Sequence, residues 1–378
     1  MNSVNNDSQN VFIAGIGLVT ALGPNVEMTA AAVKAGVSAY RISDYTDNND
    51  KPITMANVPI ELFTSMDIEI ERISSYREQY DHIIKMAILA VQEAFTHITN
   101  SEFPVKQPIP LVLAMPEPQL NITQMPPKLL IKNILKLSGA PIDAQQVRCV
   151  HNGRAAGIQT LDLARRFLFD QQQDFVLIGG SDSHNNLALI NQLNQQKRLL
   201  THTSRDAFAP GEAASFLLLT RHAEYALNKN HQIIKLHPQG IAEEAGHLTS
   251  DIPYRGDGLD QAFKQALSHY NGDPIGTIYS SMNGENFWAK EQGVAIIRNK
   301  KYFKEDMVVE HPADTFGDLG VATATALMGL SATALFEQKQ PTTHLVYSSS
   351  DGPARASLLL EKITYHQNNK NAENGANV

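Results

Sequence analysis

Cysteine is nearly absent from this chain: 378 residues contain one, Cys149. A lone thiol forms no internal disulfide, and neither a CxxC pair nor an HExxH motif supplies metal ligands. No metal and no cofactor is therefore expected, and a reducing, cytoplasmic setting fits best. Basic charge is also in short supply, with 31 Lys and Arg against 39 Asp and Glu, a net charge of -8. That sign opposes phosphate-backbone binding by counterion release, so nucleic acid is not an expected partner. Long apolar runs are missing too: no stretch reaches the roughly 18 unbroken residues of a membrane span. The opening MNSVNNDSQN lacks the basic start of a signal peptide, and Gly15, Gly17 and Gly23 interrupt the apolar run after it. The expectation is a soluble protein without membrane contact.

What is present is an ordinary globular composition, 43% hydrophobic and 19% charged. At about 150 residues per domain the length fits two domains, or one fold built from two similar halves. Short apolar runs (VFIAGIGLVT, PLVLAM, DFVLIGG, ASFLLLT, TIYSS, THLVYSS) read as strands. Between them, stretches such as SYREQYDHIIKMAILAVQEAF, GIQTLDLARRFLF and GVATATALMGLSATALFEQ carry apolar residues at three and four spacing, as buried helices do. Strands alternating with helices indicate an α/β architecture. Polar clusters place a division near residue 222, giving halves 1–222 and 223–364, and the polar end, 365–378, is expected to be disordered. GIGLVT begins like a dinucleotide fingerprint, but Thr20 stands where a third glycine belongs. A tight turn in which glycines permit close packing is the preferred reading.

Five segments carry a more specific resemblance. FIAGIGLVTALGPNVEMTAAAVKAGVSAY, DFVLIGGSDS, SRDAFAPGEAASFLLLTR, HPQGIAEEAGHLTS and GDLGVATATALMGL follow one another in the order seen in β-ketoacyl synthases of the thiolase superfamily. The resemblance spans residues 11 to 358. It implies a thiolase-like α/β fold, two pseudo-symmetric βαβ-rich halves in a layered αβαβα sandwich, and a dimer. It also implies a chemistry: a cysteine nucleophile at a helix start, with two histidines that stabilise the enolate formed on decarboxylation.

This chain departs from that chemistry at every position it needs. Gly153, in HNGRAAG, stands in the nucleophile's place; Asn283 and Asp318 stand where the two histidines belong. Ala313 replaces a family lysine, and Asp351, in SSSDGPARAS, replaces the gating phenylalanine. An amide cannot carry the proton, and an ionised carboxylate repels a developing enolate. Cys149 lies four residues before Gly153, in QQVRCV, which reads as a buried strand with a hydrophobe-like thiol.

Other clusters have plainer readings. His151 and Asn152 offer an acid–base pair or, preferably, a polar cap for the following helix. Ser181, Asp182 and His184 contain the triad residue types on a single turn and read as turn and cap residues. Glu285, Trp288 and Glu291 suit a helix start with a core-filling ring. The chain thus resembles a chain length factor, a non-catalytic subunit that pairs with an active β-ketoacyl-ACP synthase and shapes its acyl tunnel in polyketide synthesis, including the aryl polyene kind. Acyl carrier protein is a further expected partner. Met115, Leu120, Ile122 and Met125, in the segment after PLVLAM, are the tunnel candidates, with ordinary interface packing as the alternative. Two other functions stay open: an acyltransferase or hydrolase reusing Cys149, His151 or Asp318, and a homodimeric acyl-binding scaffold.

Overall fold

The computed structural model describes residues 9–73, 77–99, 105–118, 122–340 and 342–365. The elements of the first half are β1 (Val11–Thr20), α1 (Val26–Lys34), β2 (Arg41–Thr46), β3 (Pro52–Met55), α2 (Gln79–Thr99), β4 (Ile109–Ala114), α3 (Pro127–Leu137), β5 (Ile142–Val150), α4 (Ala156–Arg165), β6 (Phe175–Ser183), α5 (Leu187–Gln195) and β7 (Glu212–Thr220). Those of the second half are β8 (Gln232–Leu236), β9 (Gly240–Glu243), α6 (Asp257–Leu267), β10 (Ile275–Ser280), α7 (Asn286–Arg298), β11 (Phe303–Glu310), α8 (Ala313–Phe316), α9 (Thr323–Glu337), β12 (Thr343–Ser349) and β13 (Ala354–Thr364).

Strand order repeats between the halves. The first half runs β5-β4-β6-β7-β1 and the second β11-β10-β12-β13-β8, with β9 added on β13. Counted along each half, both orders are third, second, fourth, fifth, first. The pairing senses match as well: parallel for the first two contacts of each order and antiparallel for the next two. Antiparallel pairing of β1 with β8, Val11 with Leu236 and Phe12 with Lys235, joins the half-sheets into one mixed sheet of eleven strands.

Helices α4 and α9 pack on each other and contact strands of both halves, so they form the middle layer; α2 and α3 cover the first half-sheet and α6 and α7 the second. Their residues build one central core, including Ile158, Leu161, Leu327 and Leu330 between Leu217 and Leu358. Gly157 lets the two helices meet closely, since a Cβ there would lie 2.9 Å from Ala324 Cβ. The segment Gly320–Glu337 is long and apolar enough to cross a membrane by composition, contrary to the reading of the sequence, and most of it is buried in this core. A helix apolar on every side needs an apolar environment, and here protein supplies it.

The glycines of GIGLVT serve packing as expected, but not in a tight turn: Gly15 and Gly17 lie inside strand β1. A Cβ on Gly17 would fall 1.7 Å from Ala90 O, and one on Gly15 would fall 1.8 Å from Ala94 O. Strand β1 and helix α2 therefore touch backbone to backbone. At the end of the motif, Thr20 is buried against Thr29, their hydroxyls 3.0 Å apart, and Asn25 caps α1 by accepting from Met28 N–H at 2.8 Å. Cys149 brings a correction: β5 is a half-exposed edge strand, pairing only with β4 among the described residues.

Substituting Gly17 by Ala forces a backbone shift with no flexible side chain to absorb it. A loss of about 3 kcal/mol or more is expected in urea unfolding. Gly293→Ala, inside α7 with nothing within 4 Å of a new Cβ, is expected to be neutral or stabilising by up to about 1 kcal/mol.

Candidate functional site

Every departure from the expected chemistry gathers where the two halves meet. After β5 the chain turns through Gly153 into α4, and Gly153 has φ +58°, a conformation that costs a residue with a Cβ about 1–3 kcal/mol. The space above it is taken. Glu117, from the loop after β4, lies so that a Cβ on Gly153 would sit 3.1 Å from its Cγ and 3.2 Å from its Oε2. The same carboxylate accepts from Gly352 N–H at 3.1 Å. Burial pushes the Glu117 carboxyl up, and the nearby Asp351 adds to that, against the Gly352 hydrogen bond.

Arg154 follows and is buried, 5% exposed. Its Nε donates to Ser349 O at 2.9 Å, its Nη1 to the Asp318 carboxylate, and its Nη2 to Asp351 Oδ1 at 2.8 Å. The guanidinium lies over the Trp288 ring at 4.4 Å. Arg198 makes a second clamp: its Nε meets Glu285 Oε1 at 2.6 Å, and its Nη1 meets Asp351 Oδ2 at 2.6 Å. Asn283 donates from Nδ2 to Asp318 Oδ2 at 2.8 Å and to Glu285 Oε2 at 3.1 Å, and Trp288 Nε1 donates to the same Glu285 oxygen at 3.1 Å. Two arginines and three carboxylates thus hold one another.

Burial by itself would raise the Asp318 carboxyl, but Arg154 leads a set of partners, with His184, Asn283 and Gly320 N–H, that holds it well below the usual carboxylate range. Asp351 is likewise held low against burial by Arg154 and Arg198. A carboxylate this weakly basic is a poor proton acceptor near neutral pH. Ala313 opens α8, and its carbonyl accepts from the Tyr40 hydroxyl at 2.7 Å. With Asn283 and Asp318 it borders a gap of about 10 Å³, room for one water at most. Beside this filled centre lies a cleft of about 450 Å³ whose lining includes His151, His184, His247, Arg198 and Asp351.

The remaining residues fall into place individually. Asn152 caps no helix with its side chain, contrary to expectation. Its Nδ2 donates to Gln159 Oε1 at 2.7 Å instead, while His151 is exposed at the cleft. Asp182 does cap, accepting from Val321 N–H at 3.1 Å; Ser181 donates to Ile83 O, and His184 Nδ1 lies 3.3 Å from Gly211 O, so the three form no triad. Glu285 spends its carboxylate on Arg198, and Glu291 pairs with Arg355 and accepts from Ser349 Oγ. Cys149 is half-buried, and burial raises its thiol pKa. It does not line the cleft. Met115, Ile122 and Met125 border a cavity of about 90 Å³ together with Tyr80 and Leu189. Leu120 lies outside the described residues.

Sequence reasoning overlooked Arg154, Arg198 and Glu117. Arg154 carried a signal: a charge at the head of an apolar helix must be paired where it is buried. Its partners are distant in sequence, so the pairing itself was not readable.

Replacing Asp318 by Ala leaves Arg154 buried with a partner missing. A loss of about 3–5 kcal/mol is expected in urea unfolding. Because the folded-state pKa of Asp318 is depressed, its stabilisation is full above the unfolded carboxylate value of about 3.9 and is lost as pH falls below it. The wild-type chain should therefore lose more stability than the variant as pH falls below about 4.

No protein-family model matches the chain, and no curated protein matches it either. Solved structures do. The ishigamide ketosynthase/chain length factor aligns over 95% of this chain and 100% of its own, with 19% identity and a TM-score of 0.71. The structure of the ketosynthase ApeO in complex with its chain length factor ApeC, from Xenorhabdus doucetiae, gives 16% identity over 96% of this chain and 100% of that one, with a TM-score of 0.68. A ketosynthase from module 6 of the bacillaene synthase of Bacillus subtilis 168 gives 14% identity over 95% of this chain and 72% of that one, with a TM-score of 0.71. With the duplicated strand order and the buried pair α4 and α9, these likenesses establish that the chain has the thiolase-like fold of the ketosynthase and chain length factor structures.

Proposed function

We propose that this protein is a non-catalytic ketosynthase-like subunit of the chain length factor kind, which pairs with an active β-ketoacyl-ACP synthase in the cytoplasm and shapes its acyl tunnel in polyketide or aryl polyene synthesis. One observation carries the reading. The centre where a thiol and two imidazoles would act is filled by Arg154, Asp318, Asn283 and Glu117, all engaged with one another or with backbone. Acyl transfer needs a nucleophile, and this centre offers a glycine in that place, with Asp318 and Asp351 held ionised by the arginines and Glu117 engaged with Gly352 N–H. The alternative enzyme finds little support in Cys149, whose thiol pKa is raised and which stands away from the cleft.

A subunit without chemistry acts through shape and surface. Strand β5 pairs with a strand on one side only among the described residues, which gives a partner an edge to extend. Met115, Ile122 and Met125 border the small cavity beside the end of β4. A partner's acyl chain would end against such a wall. The repeated strand order supports dividing the chain near residue 222, between β7 and β8.

Expression of the chain alone and beside a ketosynthase encoded next to it, followed by size-exclusion chromatography and product analysis, tests the proposal. A stable heterodimer that condenses only with both subunits is expected. Turnover by the chain alone, or inert homodimers in both cases, would overturn it. In the heterodimer, Met125→Ala is expected to lengthen the products. Gly153→Cys in this subunit is expected to add no condensation, because Asn283 and Asp318 remain and Glu117 occupies the thiol's space.

A further inference from the structure

We propose that a second cleft, between α1 and α9 over the ends of β10 and β12, binds an uncharged small amphiphile with an apolar body and a hydroxyl or carbonyl head. The cleft measures about 570 Å³, within the range of small-molecule sites, and shares no lining residue with the cleft at Asp318. Ala30 and Val33 of α1 and Leu330 and Ala334 of α9 supply apolar walls. Tyr279 and His344 lie at its base, 7% and 2% exposed, with their rings stacked at 5.6 Å.

These two side chains are under-used. His344 Nδ1 lies 3.1 Å from Ser331 Oγ, but among the described residues neither His344 Nε2 nor the Tyr279 hydroxyl makes a hydrogen bond. Neither atom is sealed in the core: both open onto the cleft, where two polar groups without protein partners on one floor mark a place for a polar ligand group. Both are also uncharged near neutral pH. Burial, helped by Lys362, pushes His344 down to about 4, while burial with Glu310 and Glu337 nearby pushes the Tyr279 phenol up. Lys34 and Glu337 at the rim pair with each other at 2.6 Å.

That combination selects a ligand class. The charged residues of the lining, Lys34 and Lys339 against Glu310 and Glu337, balance in sign, so a charged head would leave water without meeting a net opposite charge, and a wholly apolar ligand would seal two polar groups without partners. A hydroxyl or carbonyl accepts from the Tyr279 O–H and meets the imidazole, while the apolar body lies along the helices.

Titration with para-propylphenol, compared with para-propylbenzoate and para-propylbenzylamine, tests the assignment by calorimetry and by the His344 imidazole resonances of nitrogen-labelled protein. Saturable binding of the phenol that moves the His344 resonances is expected, with both charged analogues at least about tenfold weaker. Tyr279→Phe, which keeps the ring, is expected to weaken binding about tenfold. Ala334→Phe, on the half-buried wall, is expected to abolish binding without lowering the unfolding midpoint, and it carries the test if Tyr279→Phe does not fold. Absence of saturation at millimolar phenol, equal binding of the charged analogues, or binding unchanged in Ala334→Phe would overturn the assignment. Each readout uses this chain without a ketosynthase, so the outcome is independent of the heterodimer proposal.

Discussion

The buried guanidinium of Arg154 is the constraint on which the centre of the molecule depends. A full charge removed from water costs several kcal/mol unless it is paired and hydrogen-bonded, so the residues around it are not free to vary one at a time. Arg154 stands at the head of α4 in the first half; Asp318, Asp351 and the Ser349 carbonyl come from the second. Arg198 repeats the arrangement from the loop after α5, reaching Glu285 and Asp351. The two half-sheets are therefore tied at their centre by ion pairs and at their edge by the short β1–β8 pairing.

That network also decides what the centre can do. Strong pairing holds carboxylates ionised and rigid, which suits a fixed shape and disfavours proton transfer. Trp288 closes the arrangement from one side, with Arg154 at 4.4 Å and Arg355 at 5.6 Å from its ring centre. On the proposed function, tunnel shape and partner surface are the properties through which the subunit acts.

Much of the fold was readable from residues alone, because short-range rules govern it. Apolar runs marked β1, β4, β6, β7, β10 and β12; the Gly-x-Gly of β1 signalled close packing, although the turn expected there is continuous strand. Strands β11 and β13 escaped notice because charged residues interrupt them; Arg355 and Lys362 of β13 are buried only because a carboxylate and a backbone carbonyl await them. The same limit applied to the site. Gly153, Asn283 and Asp318 were identified as departures from a pattern, whereas Glu117 and Arg198 became visible only when folding brought residues separated by more than thirty positions together. Asn152 shows the converse error, a local capping rule overruled by Gln159, a side-chain partner in the first turn of α4.

Glu117 over Gly153 has a corollary for substitution. A side chain added at Gly153 alone collides with the Glu117 carboxylate, and withdrawing the carboxylate alone leaves a hole and an unanswered amide at Gly352. Neither single step is downhill. Steric interlock of this kind works as a ratchet: the glycine and the carboxylate hold each other in place by geometry, and either can change only together with the other.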